Sequence, residues 1–132
     1  MRHLLTSILV LAALPTTLTA CGDDGSEAQR VGVGAACAAN ADCAETAPMC
    51  LPFKGGYCGV DNCETDAECP AGSACITHDD DVNDCFLLCD DKSVCNTHRT
   101  TENESNCVGS VTFVEADAHA GAKACVPPSA DK

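Results

Sequence analysis

The chain has 132 residues, thirteen cysteines, no tryptophan and a formal net charge of −13. Twenty acids against seven Lys and Arg leave no basic surface for nucleic acid or anionic lipid headgroups, both of which demand one. From residue 21 onward only 18 of 112 residues are Val, Ile, Leu, Met, Phe or Tyr, too little bulk to offset about 1–2 kcal/mol of chain entropy per residue by burial alone.

Met1, Arg2 and His3 form a short basic start, and Leu4–Leu14 is apolar apart from Thr6 and Ser7. Those 11 residues are too short to cross a hydrocarbon core of about 30 Å, which takes about 20. The pattern predicts a secretory signal peptide over 1–20, and Pro15 argues against a buried helix there. Leu18-Thr19-Ala20-Cys21 resembles the lipobox of bacterial lipoproteins. The resemblance implies that Cys21 becomes the new N-terminus and carries lipid, its thiolate being the nucleophile, and several acyl chains give stable anchoring where one does not. Gly22 stands where Asp acts as an inner-membrane retention signal in Gram-negative lipoproteins, so the resemblance implies the outer membrane of the cell envelope. The alternative is ordinary secretion with Cys21 left as a thiol.

Residues 21–36 are Gly-, Ala- and acid-rich without periodicity and predict a flexible tether behind the lipid. Beyond it stand twelve cysteines: Cys37, Cys43, Cys50, Cys58, Cys63, Cys69, Cys75, Cys85, Cys89, Cys95, Cys107 and Cys125. An even number in an exported chain predicts a disulfide framework, and each bridge contributes typically about 2–4 kcal/mol by restricting the unfolded state. Zinc is the alternative, but no C-x-x-C pair is present and an oxidising compartment disfavours thiolate ligands.

The cysteines repeat. Cys37, Cys63 and Cys89 are spaced by 26 positions, and each has a partner six residues on. Cys37-Ala-Ala-Asn40-Ala41-Asp42-Cys43 aligns with Cys63-Glu-Thr-Asp66-Ala67-Glu68-Cys69. This predicts a disulfide-rich domain over 37–126 made of three short four-cysteine repeats, 37–58, 63–85 and 89–125, with little regular secondary structure beyond short hairpins and turns. Four cysteines allow three pairings in each repeat; first-with-third and second-with-fourth is preferred here, and the spacing leaves the other two open.

In chain order, Asn40 and Asp66 are candidate N-caps or Asx-turn residues of the two C-x5-C segments. Phe53-Lys54-Gly55-Gly56-Tyr57-Cys58 predicts a small hairpin, and Pro70–Ser73 a turn. Asp79, Asp81 and Asn83 fall on the spacing of a calcium loop, with Asp90 at the closing carboxylate. Asp84 stands where that loop needs Gly, so an exposed acidic loop is the competing expectation. Asn103-Glu104-Ser105 fits the N-glycosylation pattern, and Ser110–Val114 has strand propensity and is expected to pair across the 107–125 loop. Residues 127–132 read as a loose tail.

The repeats resemble EGF-like modules, the Dickkopf N-terminal cysteine-rich type and bacterial cysteine-rich lipoproteins over residues 37–95, on the cysteine spacing with Asn40, Asp66 and Gly72. EGF modules hold six cysteines where these repeats hold four. His78, His98 and His119 lie on expected loops, and no G-x-S-x-G, H-E-x-x-H or phosphate-cradling glycine loop occurs. The expectation is a lipid-anchored, non-enzymatic binding, adhesion or structural module at the cell envelope. Its partner would be a protein or glycan and not nucleic acid, and no cofactor is expected other than the calcium at Asp79, Asp81, Asn83 and Asp90. The alternative is a small protease inhibitor presenting loop 51–57 or 96–106.

Overall fold

The computed structural model describes residues 25–130. Its regular elements are two one-turn helices, α1 (Glu27–Arg30) and α2 (Lys92–Cys95), and seven strands. The strands are β1 (Met49–Leu51), β2 (Tyr57–Gly59), β3 (Ser73–Thr77), β4 (Asn83–Cys89), β5 (Asn106–Val108), β6 (Thr112–Phe113) and β7 (Lys123–Val126).

All three repeats fold into one device, in which a tight turn spanning the C-x5-C segment is clamped onto an antiparallel strand pair. The third and fourth cysteines of each repeat are register partners across the pair: Cys50 with Cys58, Cys75 with Cys85, and Cys107 with Cys125. Each bonds back to the turn instead of to its register partner. The bridges are 37–50 and 43–58, 63–75 and 69–85, and 89–107 and 95–125, which is first-with-third and second-with-fourth throughout. The Cα–Cα spans recur as well, 5.9, 5.9 and 6.0 Å for the first bridges and 5.5, 5.6 and 5.2 Å for the second.

In the first two repeats the turn is a 3₁₀ segment, Asn40–Asp42 or Asp66–Glu68. Asn40 and Asp66 are its first residues and do not cap it. The acids two positions on do that: Asp42 accepts from the Ala38 and Ala39 N–H groups at 2.9 and 3.0 Å, and Glu68 from those of Glu64 and Thr65 at 2.6 and 3.0 Å. These N–H groups hold both carboxyls below their usual range. In the third repeat the turn is α2, capped by Asp91, whose side chain accepts from the Ser93 N–H at 2.8 Å.

The strands are short, as the small apolar content requires, yet five of them join into one sheet in the order β5-β7-β4-β3-β6. This sheet crosses the repeat boundary, because β4 carries the second repeat on one edge and β7 of the third on the other. The Ser110–Val114 segment does form a strand, but β6 pairs with β3 at Ile76 and Thr77 and not across the 107–125 loop. That loop is closed by β5 on β7, leaving the Ile76 edge as the available partner.

Residues 53–58 carry the turn and the start of the second strand of the expected hairpin, β1–β2, whose first strand begins earlier at Met49. Gly55 and Gly56 turn it at φ 73° and 69°, and a Cβ on Gly56 would run into the Cys37 carbonyl and both sulfurs of the 37–50 bridge. The hairpin docks on the large sheet through aromatic rings. Phe53, Tyr57 and Phe86 meet with centroids 5.2–5.8 Å apart. The buried Tyr57 hydroxyl accepts from the Leu87 N–H at 3.0 Å.

Two expected loose segments are folded. From Ser26 to Ala36 the chain is packed onto the domain and is not a tether. Ser26 and Gln29 form a capping box, Ala28 and Val33 are buried, and backbone bonds run from Ala28 to Ala71, Gly34 to Cys58 and Cys58 to Ala35. Poor periodicity hid this, because two small apolar side chains and main-chain bonds do the docking. At the other end Pro127 is buried, Lys54 donates to the Pro128 carbonyl at 3.1 Å and Ser129 bridges Phe53, so the tail is tied to the first hairpin as far as Ser129.

Candidate functional site

The strongest concentration of charge lies at the tip of the β3–β4 hairpin. His78 donates its N–H to Val82 at 2.9 Å and accepts from Asp81 at 3.0 Å, with Asp81 left-handed at φ 61°. Asp79, Asp80, Asp81 and Val82 are exposed. The Asp80 Oδ1 accepts from the Val82 N–H at 3.2 Å.

Beneath this tip the strand parity turns two polar side chains inward. Asp84 pairs with Ile76 and lies two residues before the buried Phe86, so it shares the core-facing side. It is 5% exposed. Asn62 donates its backbone N–H to the carboxyl, while Oδ1 has no partner. Burial pushes the carboxyl up to about 6, with the charges of Asp80 and Asp61 adding to the rise and His78 opposing it. The His78 ring stacks on Phe86 at 6.0 Å and meets the Phe53 edge at 5.0 Å. Its Nδ1 is buried without a hydrogen bond and lies 3.6 Å from the Asp80 Oδ1.

The calcium spacing does not assemble here. Asn83 opens the seven-residue β4 (Asn83–Cys89) and Asp90 follows its last residue, a separation of about 20 Å at strand rise. The Asn83 Oδ1 is already accepting from the Thr77 hydroxyl at 2.9 Å. An extended strand occupies the span where a calcium loop would have to curl.

A second polar pair joins repeats two and three. The His119 Nε2 lies 2.7 Å from the Asp66 Oδ2, and the imidazole stacks on Phe113 at 4.8 Å. Partial burial alone would raise the Asp66 carboxyl, but the Cys75 N–H and His119 more than reverse this and hold it below the usual range. Glu115 accepts from the Asp66 N–H at 2.8 Å. They stand 53 positions apart in the chain, so nothing local could have paired these two side chains. His98 is exposed.

The expected inhibitor loops are held from within. Arg99 donates through Nη1 to the Gly34 and Gly56 carbonyls at 2.9 and 2.8 Å and through Nη2 to the Lys54 carbonyl at 2.8 Å. Its Nε reaches Asn103, and the guanidinium lies 5.9 Å from the Tyr57 ring centre. Asn96 and Ser105 exchange side-chain-to-backbone bonds across the 96–106 loop at 2.8 and 3.0 Å. Ser105 of the glycosylation pattern is fully buried.

Among the described residues, the donor-atom triads within 4.8 Å are three cysteine sets, one per repeat, and all these sulfurs sit in bridges. No described helix is long and apolar enough to cross a membrane, and Cys21 lies outside the described residues. Neither Asp84 nor Arg99 stood out in the sequence. The signal for Asp84 was its parity with Phe86 once β4 was recognised, and Arg99 gave no local signal. No family model, curated protein or solved structure matches this chain.

Proposed function

We propose that this chain is a lipid-anchored envelope protein that works by binding, with Cys21 as the acylated N-terminus and the outer membrane as its location. The observation that carries the binding reading is the rigidity of its loops: each strand pair is locked by two bridges, and Arg99 fastens three loop carbonyls at once. Loops held in this way lose less entropy on association. The acidic hairpin tip is the exposed, chemically distinctive surface such a scaffold displays, and it suits a partner that is cationic or rich in hydrogen-bond donors. The lipid reading rests on the Leu18–Cys21 motif.

The inhibitor alternative receives less support. Pro52 and Lys54 are the exposed side chains of the 51–57 loop, but the Lys54 N–H and C=O are engaged by Pro128 and Arg99. A protease would need both of these main-chain groups. The test is affinity capture by the intact lipoprotein from its own envelope, compared with a copy lacking Asp79–Asp81 charge, together with mass spectrometry of the N-terminus. Partners lost with the acidic tip and an acylated Cys21 are the expected results. Stoichiometric inhibition of a protease would replace the binding reading, and unmodified Cys21 would remove the anchor.

A further inference from the structure

We propose that His78, Asp80 and Asp84 form a binding site for a divalent transition-metal ion of the zinc class, with Asp61 as a supporting outer carboxylate. The geometry begins with two orphaned atoms. The His78 Nδ1 and the Asp84 Oδ1 are both buried and have no hydrogen-bond partner, and they belong to the same β-hairpin, on the face that carries Ile76 and Phe86. Buried polar atoms are nearly always satisfied, and the exceptions call for a cause such as an ion. Asp80 lies 3.6 Å from the Nδ1, too far for a hydrogen bond. On the hairpin His78 lies two residues after Ile76, the cross-strand register partner of Asp84, so the two side chains are neighbours on one face, and Asp61 bridges Asp84 from the adjoining segment.

The donor set selects the ion. One imidazole nitrogen with two carboxylates matches zinc and its first-row neighbours, whereas calcium takes six to eight oxygens. Two carboxylates and a neutral imidazole also balance the ion's charge, relieving the buried carboxylate of Asp84. His78 is pre-positioned by Phe53 and Phe86, and Asp84 by β4 and the Asn62 N–H. The three donor atoms do not yet lie together within 4.8 Å. His78 and Asp80 are already 3.6 Å apart, so the gap is to Asp84, and closing it takes a shift of the exposed Asp80 side chain, 65% accessible, together with the His78 ring toward the buried carboxyl. The residues differ from the Asp79, Asp81, Asn83 and Asp90 set because hairpin parity, not linear spacing, decides which side chains converge.

The test is calorimetric titration of ZnCl2 into the full chain with its bridges oxidised, with the His78 ring signals followed by NMR. One zinc per chain, with a shifted His78 ring, is expected. Asp80→Asn, exposed and harmless to folding, should weaken binding by about tenfold or more. Asp84→Asn and His78→Gln should abolish it, and Glu102→Gln should leave it unchanged. No zinc uptake at millimolar metal would overturn the proposal. So would zinc binding that leaves His78 unmoved and survives Asp80→Asn, or a preference for calcium over zinc at these residues.

Discussion

Asn40 and Asp66 do the same job 26 residues apart. The Asn40 Oδ1 accepts from the Cys50 N–H at 2.9 Å, and the Asp66 Oδ1 accepts from the Cys75 N–H at 2.9 Å. In both repeats the bond runs from the first residue of the 3₁₀ turn to the third cysteine, which is the residue bridged to the first cysteine. The side chain therefore holds the turn against the strand beside the first bridge. Asn and Asp are interchangeable here because each offers an acceptor oxygen at the same reach.

Asn40→Ala should then destabilise the oxidised protein by about 1 kcal/mol, the net worth of one such bond, while Asn40→Asp should be tolerated. Urea titrations with the bridges intact will separate the two. Equal losses for Ala and Asp would mean that the acceptor is not what matters.

Arg99 fastens Gly34, Lys54 and Gly56 and leans on Tyr57, joining the N-terminal segment, the first hairpin and the third repeat. Arg99→Ala leaves several half-buried carbonyls unpaired and should cost about 2–4 kcal/mol, since charged hydrogen bonds contribute about 1.5–3 each and share their penalty. Arg99→Lys should recover little, because one ammonium cannot span the fork. The measurement is the denaturation midpoint. A Lys variant as stable as the parent would show that charge alone suffices.

The repeat, the cysteine pairing and the first hairpin were legible in the sequence because each is local: a 26-residue offset, a C-x5-C spacing and a Gly-Gly turn. What joins the repeats was not. Arg99 reaches 65 residues to Gly34 and 43 to Gly56, and β6 finds β3 across more than thirty positions of chain. No periodicity encodes such contacts, and short strands with alternating Cys and small residues give little amphipathic signal. The 26–36 segment failed for a related reason, its burial resting on Ala28 and Val33 alone. The acidic run at 79–84 was visible, but linear spacing suggested Asp79, Asp81, Asn83 and Asp90 as ligands, whereas the hairpin turns His78 and Asp84 inward.

Because residues 26–36 are docked, a chain beginning at Cys37 should be less stable than one beginning at Gly25. Removing Ala28 and Val33 from the core cluster they share with Leu51 and Tyr57 opens apolar surface, and losing Gly34 and Ala35 unpairs both backbone groups of Cys58. The shorter chain should show a lower thermal midpoint and faster proteolysis of the first hairpin. Equal midpoints for the two chains would restore the tether reading.

The last prediction concerns pH. Asp84 has a folded pKa of about 6 against an ordinary value of 3.8. Its proton is therefore bound more tightly in the folded state. Below pH 4 or so both states are protonated and nothing is lost; between about pH 4 and 6 the unfolded state ionises first, and stability falls as pH rises, by about 3 kcal/mol in all. Asp66 works in the opposite sense. Its folded pKa is depressed, so its contribution is present above its unfolded value and is lost as pH falls through the folded one. The oxidised protein, in chelator to keep metal away from Asp84, should thus be most stable near pH 4 and weaken on both sides. Asp84→Asn should remove the alkaline slope and raise stability at neutral pH, leaving the acid limb in place. Asp66→Asn should shrink the acid limb, which the lowered Asp42, Glu68 and Asp91 carboxyls share, and spare the other. Urea midpoints measured across this range will decide it: a parent protein that does not weaken between pH 4 and 6, or an Asp84→Asn variant that keeps the slope, would show that Asp84 is not the buried acid described.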